Sequence, residues 1–234
     1  MKNKTLWKQV GAAAIAAAMV MSTVPATPVQ AAGGKTLAVS SQKQLNQALK
    51  TVKGKNAVIT VKAGKNVKIT IPKGTYKVTI RVVGKKAAVV NNGTVKEIVV
   101  NSKGTVAIKN NGTIKKVTVQ NAKSVSFSGN HKKAVPVVVN AEDVSMILAA
   151  PAKITAKKDV NIVLKKGAEK SSITCTKNVQ AQVDNQTKKA ISVKIADGTT
   201  LKVESGESCT ITPKGKKEDT SGEDKTDGKD QKTD

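Results

Sequence analysis

A 19-residue repeat constrains this chain more than any other feature. Gly-Thr-apolar-Lys occurs at Gly74–Lys77, at Gly93–Lys96 and at Gly112–Lys115, each step being 19 residues. The same step carries Asn91-Asn92-Gly93 onto Asn110-Asn111-Gly112, and Asn121-Ala122 onto Asn140-Ala141. Apolar columns share it: Val89, Ile108, Phe127 and Met146; Val106, Val125 and Val144; Val100, Val119 and Val138. Each unit holds two apolar runs, such as Val95–Val100 and Val106–Ile108, separated by Asn, Lys and Gly. Neither run buries its apolar side alone, but stacked units place like residues above one another and build a continuous core. Successive coils would lie about 4.8 Å apart, the spacing of paired strands. Asn91, Asn92, Gly93, Asn110, Asn111 and Gly112 are therefore expected to form a corner ladder. Asn and Gly suit such corners because they tolerate left-handed backbone, and stacked asparagines hydrogen-bond along the axis.

Composition agrees with an all-β fold. The apolar content is Val, Ile and Ala with much Thr, Asn and Gly between, while Trp, Tyr and Phe occur once each. A core of small branched side chains fills only a narrow interior, which is what a solenoid has. Outside residues 74–148 the period blurs, but strand-like runs continue. They lie at Ala57–Val61, Val67–Ile71, Val160–Leu164, Ile173–Cys175, Ile191–Ile195, Leu201–Val203 and Thr210–Thr212. Between Pro151 and Asp159 the register shortens by about three residues. One amphipathic helix is expected over Ser40–Val52, capped by Ser41, with Leu45, Ala48, Leu49 and Val52 on one face. Such a helix would cover the open end of the stack.

The ends of the chain differ from its middle. Lys2, Lys4 and Lys8, an Ala-rich apolar stretch from Val10 to Val20, and Val29-Gln30-Ala31 make residues 1–31 a secretory signal peptide, cleaved after Ala31. That stretch is too short for a confident membrane span, so no span is expected after cleavage and the product is expected outside the cell, held non-covalently if at all. Residues 32–56 then form a linker and the capping helix, residues 57–215 the solenoid, and residues 216–234 a charged tail. The tail has no aliphatic or aromatic residue and is expected to be disordered.

A helix of the form Ser-x-x-x-Leu-x-x-Ala-Leu at Ser41–Leu49, leading into Lys- and Gly-rich strands, resembles the entry into parallel β-helices of the pectate-lyase-like superfamily. The chain is similar to small lysine-rich β-helix proteins secreted by Gram-positive gut anaerobes. That resemblance implies a single-stranded right-handed parallel β-helix. The left-handed hexapeptide type fits less well, since no six-residue apolar-Gly rhythm is present.

The chemistry of that superfamily does not transfer with the fold. Its lyases need a carboxylate cluster and a proton acceptor, and hydrolases need paired carboxylates at a set separation. Between residues 32 and 215 there are nine acids; Glu142 and Asp143 are adjacent, so an extended chain would point them to opposite faces. Asp143 and Asp159 precede strands in similar positions and are read as corner caps, with a weak cation site as the other option. His131, the single histidine, sits beside Lys132 and Lys133 and reads as a surface corner. No zinc spacing, phosphate loop or calcium repeat occurs, so no catalytic or metal-binding residue and no cofactor is expected. Cys175 and Cys209 fit either a disulfide or two small buried residues.

Charge supplies the functional expectation. The chain has 41 Lys+Arg against 16 Asp+Glu, with Arg81 the single arginine, and residues 32–215 carry a net charge near +24. Lys77, Lys96 and Lys115 share one register, an arrangement that like charges oppose unless a linear polyanion neutralises them. Candidate partners are an anionic cell-wall polymer such as teichoic acid, an acidic polysaccharide, a mucin glycan or DNA. A solvated lysine surface that keeps the sheet protein soluble is the competing reading. Val100, Val119 and Val138 share parity with these lysines, so a bulge or corner must intervene for the lysines to face outward. Sequence-specific nucleic-acid binding is not expected, because base-stacking aromatics and base-reading arginines are missing. Neutral-sugar binding is disfavoured by the same shortage of aromatics. A non-catalytic adhesive or structural module is the leading expectation, with a minimal lyase-like enzyme and a self-assembling fibre as alternatives.

Overall fold

Alternating apolar and polar residues set the strands, and the Gly, Asn and Lys clusters between them set the corners. The computed structural model describes residues 35–63 and 66–218. The segment read as a signal peptide, residues 1–31, and the tail beyond residue 218 lie outside the described residues. The chain begins with β1 (Lys35–Val39) and α1 (Gln42–Thr51), then β2 (Ala57–Ala63) and β3 (Val67–Ile71). Two long strands follow, β4 (Thr75–Asn91) and β5 (Thr94–Asn110), then β6 (Thr113–Ile114), β7 (Val117–Asn121), β8 (Ser124–Ser128) and β9 (Val135–Val139). The next are β10 (Val144–Ala149), β11 (Ala152–Ala156), β12 (Val160–Leu164), β13 (Ser172–Cys175) and β14 (Ala181–Asn185). The last are β15 (Ile191–Lys194), β16 (Thr200–Val203), β17 (Ser208–Thr212) and β18 (Gly215–Glu218).

The strands form a β-solenoid of about eight turns. One face stacks β1, β2, the first half of β4, the first half of β5, β7, β9, β11, β13 and β15, all parallel. The other stacks β3, the second halves of β4 and β5, β8, β10, β12 and β14, also parallel. A short third side joins Thr75-Tyr76, Thr94-Val95 and Thr113-Ile114. Between the faces runs a narrow core of Val, Ile and Ala, in which Phe127 is the largest fully buried side chain.

The 19-residue step holds in the middle of the stack, where Val89, Ile108 and Phe127 pair in register. Beyond it three columns are corrected. Phe127 lies opposite Leu148 and not Met146, and Val125 lies opposite Met146 and not Val144. Val119 lies opposite Val139 and not Val138. The corner after Gly129 takes up one extra residue and the corner between β9 and β10 a second, so the coil lengthens to 20 on the first face and 21 on the other. The next coil shortens to 16, pairing Val144 with Val160, which is the three-residue loss expected near Pro151.

Both ends of the stack depart from simple coiling. Before the helix, β1 adds an unexpected parallel strand within the segment read as a linker. At the far end the chain reverses: β16 runs antiparallel to β15, β17 to β14 and β18 to β17. The last of these extends three residues past Gly215, into the segment read as tail. A final antiparallel turn of short, Lys-bearing strands makes a poor template for adding another copy.

At the first end α1 serves as the expected cap. Ser41 accepts a hydrogen bond from Gln44 N, and the Gln44 side chain accepts one from Ser40 N at 2.7 Å. Leu45, Ala48, Leu49 and Val52 are buried against the first coil. Gln42 closes the edge of β3 as a neighbouring strand would: its Nε2 donates to Thr70 O at 2.8 Å, and Thr70 N donates to its Oε1 at 2.7 Å. Gln42→Ala should leave both backbone groups of Thr70 without a protein partner. The expected cost is about 1–2 kcal/mol, read by chemical denaturation, with faster hydrogen exchange at the Thr70 amide. Unchanged exchange at Thr70 would show that the carboxamide does not protect the edge.

Candidate polyanion-binding surface

The corner between the short third side and the first face carries the three repeated lysines. Tyr76, Val95 and Ile114 pair in register, and Lys77, Lys96 and Lys115 follow them in three successive coils. All three lysines are exposed, and none pairs with a carboxylate among the described residues. The parity conflict is resolved by two consecutive outward residues. Lys96-Glu97 and Lys115-Lys116 both leave the core before Ile98 and Val117 return to it, and the ladder shifts register between Tyr76 and Thr79. Glu97, the acid nearest this column in sequence, is occupied: its Oε1 accepts from Thr118 Oγ1 at 2.6 Å and meets Lys116 Nζ at 3.3 Å.

The corner ladder beside this column is present, and its physical basis differs from the expectation. Asn91 Nδ2 donates to Asn110 Oδ1 at 2.8 Å, with both side chains fully buried, and Asn111 Nδ2 donates to Asn92 Oδ1 at 3.0 Å. None of these asparagines has a positive φ, nor do Gly93 and Gly112. The glycines are needed for close approach: a Cβ on Gly112 would fall 2.1 Å from Gly93 O, and one on Gly93 would fall 2.5 Å from Pro72 O. The buried ladder stops after Asn110, whose Nδ2 has no partner, because Gly129 follows in that column. His131 takes over the bracing there, facing Asn110 O with Nδ1 and Pro151 O with Nε2, its ring edge-on to Phe127.

The corner between the two faces is electrostatically different. It begins with exposed Lys85, Lys86, Lys103 and Lys123, then turns mixed at Glu142, Asp143, Lys157, Lys158 and Asp159. Those five residues help line an open cavity of about 410 Å³. Glu142 meets Lys158 at 2.7 Å, and that hydrogen bond and charge hold the Glu142 carboxyl below its usual range and the Lys158 amine above its own. Asp143 and Asp159 do sit one coil apart, since Val144 pairs with Val160, and Asp159 Oδ1 accepts from Gln180 N at 3.0 Å. For Asp159 that is corner capping. Among the described residues no group of three His, Cys, Asp or Glu side chains is placed to hold a metal ion. Cys175 and Cys209 are buried, one facing inward on each face, and no disulfide joins them; burial pushes the Cys175 thiol up to about 11.

Three further carboxylates tie down the later coils. The Glu169 carboxyl is held low by the Gly167 N–H, Asp197 by the Thr199 N–H, and Glu207 by Lys216 and then the Glu204 N–H. A carboxyl depressed in the folded state stabilises above its unfolded pKa, and that contribution disappears as pH falls through the folded value. With Glu142, these groups all lie past residue 141, and each is exposed enough that its share is small. Acidification from neutral to below the carboxylate range should therefore loosen residues 142–218 before residues 57–121. Hydrogen exchange followed by mass spectrometry at falling pH checks this, and simultaneous loosening of both halves would refute it.

No protein-family model matches the chain, and no curated protein or solved structure is significantly similar to it. The class is defined by the fold alone: a predominantly parallel β-solenoid with capped ends.

Proposed function

We propose that the protein is an exported, non-catalytic adhesive or structural module that holds a linear polyanion, an anionic cell-wall polymer or acidic glycan, along its lysine column. The observation that carries the reading is the stack Lys77, Lys96 and Lys115. Their backbones recur about every 4.8 Å, well within one screening length at physiological salt. Like charges held so close repel one another unless a partner neutralises them. The basic-then-apolar leader supports export, and the repeat and helix keep their resemblance to pectate-lyase-like β-helices as a scaffold.

The enzymatic alternative has less support, because the acids with located partners are engaged structurally. Glu97, Glu142 and Glu207 pair with lysines, and Asp159, Glu169 and Asp197 accept backbone N–H groups. The fibre alternative is opposed by the capping helix at one end and the antiparallel turn at the other. The testing experiment is pull-down on Gram-positive cell walls, with and without teichoic acid, across a salt series. Recovery that needs the polyanion and falls steeply with salt supports the reading. Equal recovery from both walls, or none at low salt, overturns it.

A further inference from the structure

We propose that the cleft between α1 and the first corner of the solenoid is a subsite for one acidic sugar unit, a pyranose bearing a carboxylate or sulfate ester. The inference rests on the polyanion reading and narrows it to a saccharide. The cleft has a volume of about 490 Å³; Leu49, Lys50 and Lys53 wall one side, and Pro72, Lys73 and Tyr76 the other. Three lysines line it and no carboxylate does, so the cleft is complementary to an anion. The mixed cavity around Glu142 and Lys158 is not.

Tyr76 is what turns an anion site into a sugar site. It is the chain's single tyrosine, and Phe127 is fully buried, which leaves Tyr76 as the benzene-type ring with accessible surface among the described residues. The ring is held in place. Its Oη donates to Lys73 O at 3.1 Å, and it lies so close to the corner backbone that a Cβ on Gly93 would come 3.1 Å from Cε2 and one on Gly74 2.8 Å from Oη. A fixed amphipathic ring offers its apolar surface to the C–H side of a pyranose while lysines take the charged substituent. A polyol phosphate has no such ring to match it. Position adds to the case: Lys73, Gly74 and Thr75 of the cleft lead directly into Lys77, so the cleft lies at the first-coil end of the Lys115, Lys96 and Lys77 column.

The test uses the full chain carrying ring-labelled tyrosine, which gives one set of ring signals in NMR spectra. Chondroitin sulfate tetrasaccharide is the probe. Its desulfated, carboxyl-reduced form and a glycerol phosphate oligomer are the controls, and retention on immobilised chondroitin sulfate and on teichoic acid is measured in parallel. The tetrasaccharide should move the Tyr76 signals saturably while neither control does, and Lys50→Gln with Lys73→Gln should weaken that binding by about tenfold. Static signals with retention intact would remove the cleft and leave the polyanion reading standing. Equal shifts from the neutral form would exclude an acidic-sugar site, and equal shifts from the phosphate oligomer would exclude a saccharide-specific one. Failure of both retention and shift would sink both readings.

Discussion

Gly112→Ala is expected to lower stability by about 3 kcal/mol, at the upper end of what overpacking usually costs. The added Cβ would lie 2.1 Å from Gly93 O and 2.9 Å from Asn92 C, and both are backbone atoms that no rotamer change can move. Relief requires one coil to shift against its neighbour. The shift strains what registers them: the Thr113 N–H bond to Gly93 O at 2.8 Å and the buried Asn91–Asn110 contact at 2.8 Å. In a stack where each coil touches only its neighbours, such damage is not shared out over the rest of the molecule. Gly198→Ala is the matched control. Gly198 has φ +93° with nothing within 4 Å of its added Cβ, so only backbone strain of about 1–2 kcal/mol applies. Urea midpoints of the two variants decide the matter. If Gly112→Ala costs no more than Gly198→Ala, close approach of coils is not what selects glycine at this corner.

That corner also shows how far a sequence reading reaches. Residues 91–93 and 110–112 were legible as a ladder because a repeated polar triplet stands out among valines. The reason for glycine there was not legible, since a missing Cβ looks the same whether the backbone needs a positive φ or a close neighbour. Register was readable while the coil length stayed constant. Past Gly129 it was lost, because Val137, Val138 and Val139 are consecutive and a slip of one still lands on valine. Phe127 gives no help either, since Met146 and Leu148 are both plausible neighbours for it. The strand Ala181–Asn185 carries little sequence signal because its apolar members are only Ala181 and Val183. The antiparallel ending is a matter of chain direction, which composition does not record. The lysine column was visible from spacing, but the cleft beside it was not. It takes Lys50 from the helix, Lys53 from the turn after it and Tyr76 from the first corner, and nothing in one dimension brings those together.

Replacing Lys77, Lys96 and Lys115 together with Gln should change binding and stability in opposite directions. Each lysine that neutralises an anionic group releases a counterion on binding. Losing three contacts should flatten the slope of log affinity against log salt by roughly two, taking the single-strand polyanion value of about 0.7 per contact. The same change removes like-charge repulsion along the corner, so the unbound protein should become more stable by about 0.5–1 kcal/mol. A triple Lys43, Lys170 and Lys202→Gln variant removes the same charge from exposed positions outside the column and serves as the control. A generic attraction between a basic protein and any polyanion depends on net charge, and would lose the same slope in both variants. If the column is a site, the slope falls mainly in the first variant, and the stability gain appears there alone. A gain in stability with no loss of slope would mean that the strain of stacking these lysines serves no ligand, and the solubility reading would stand in its place.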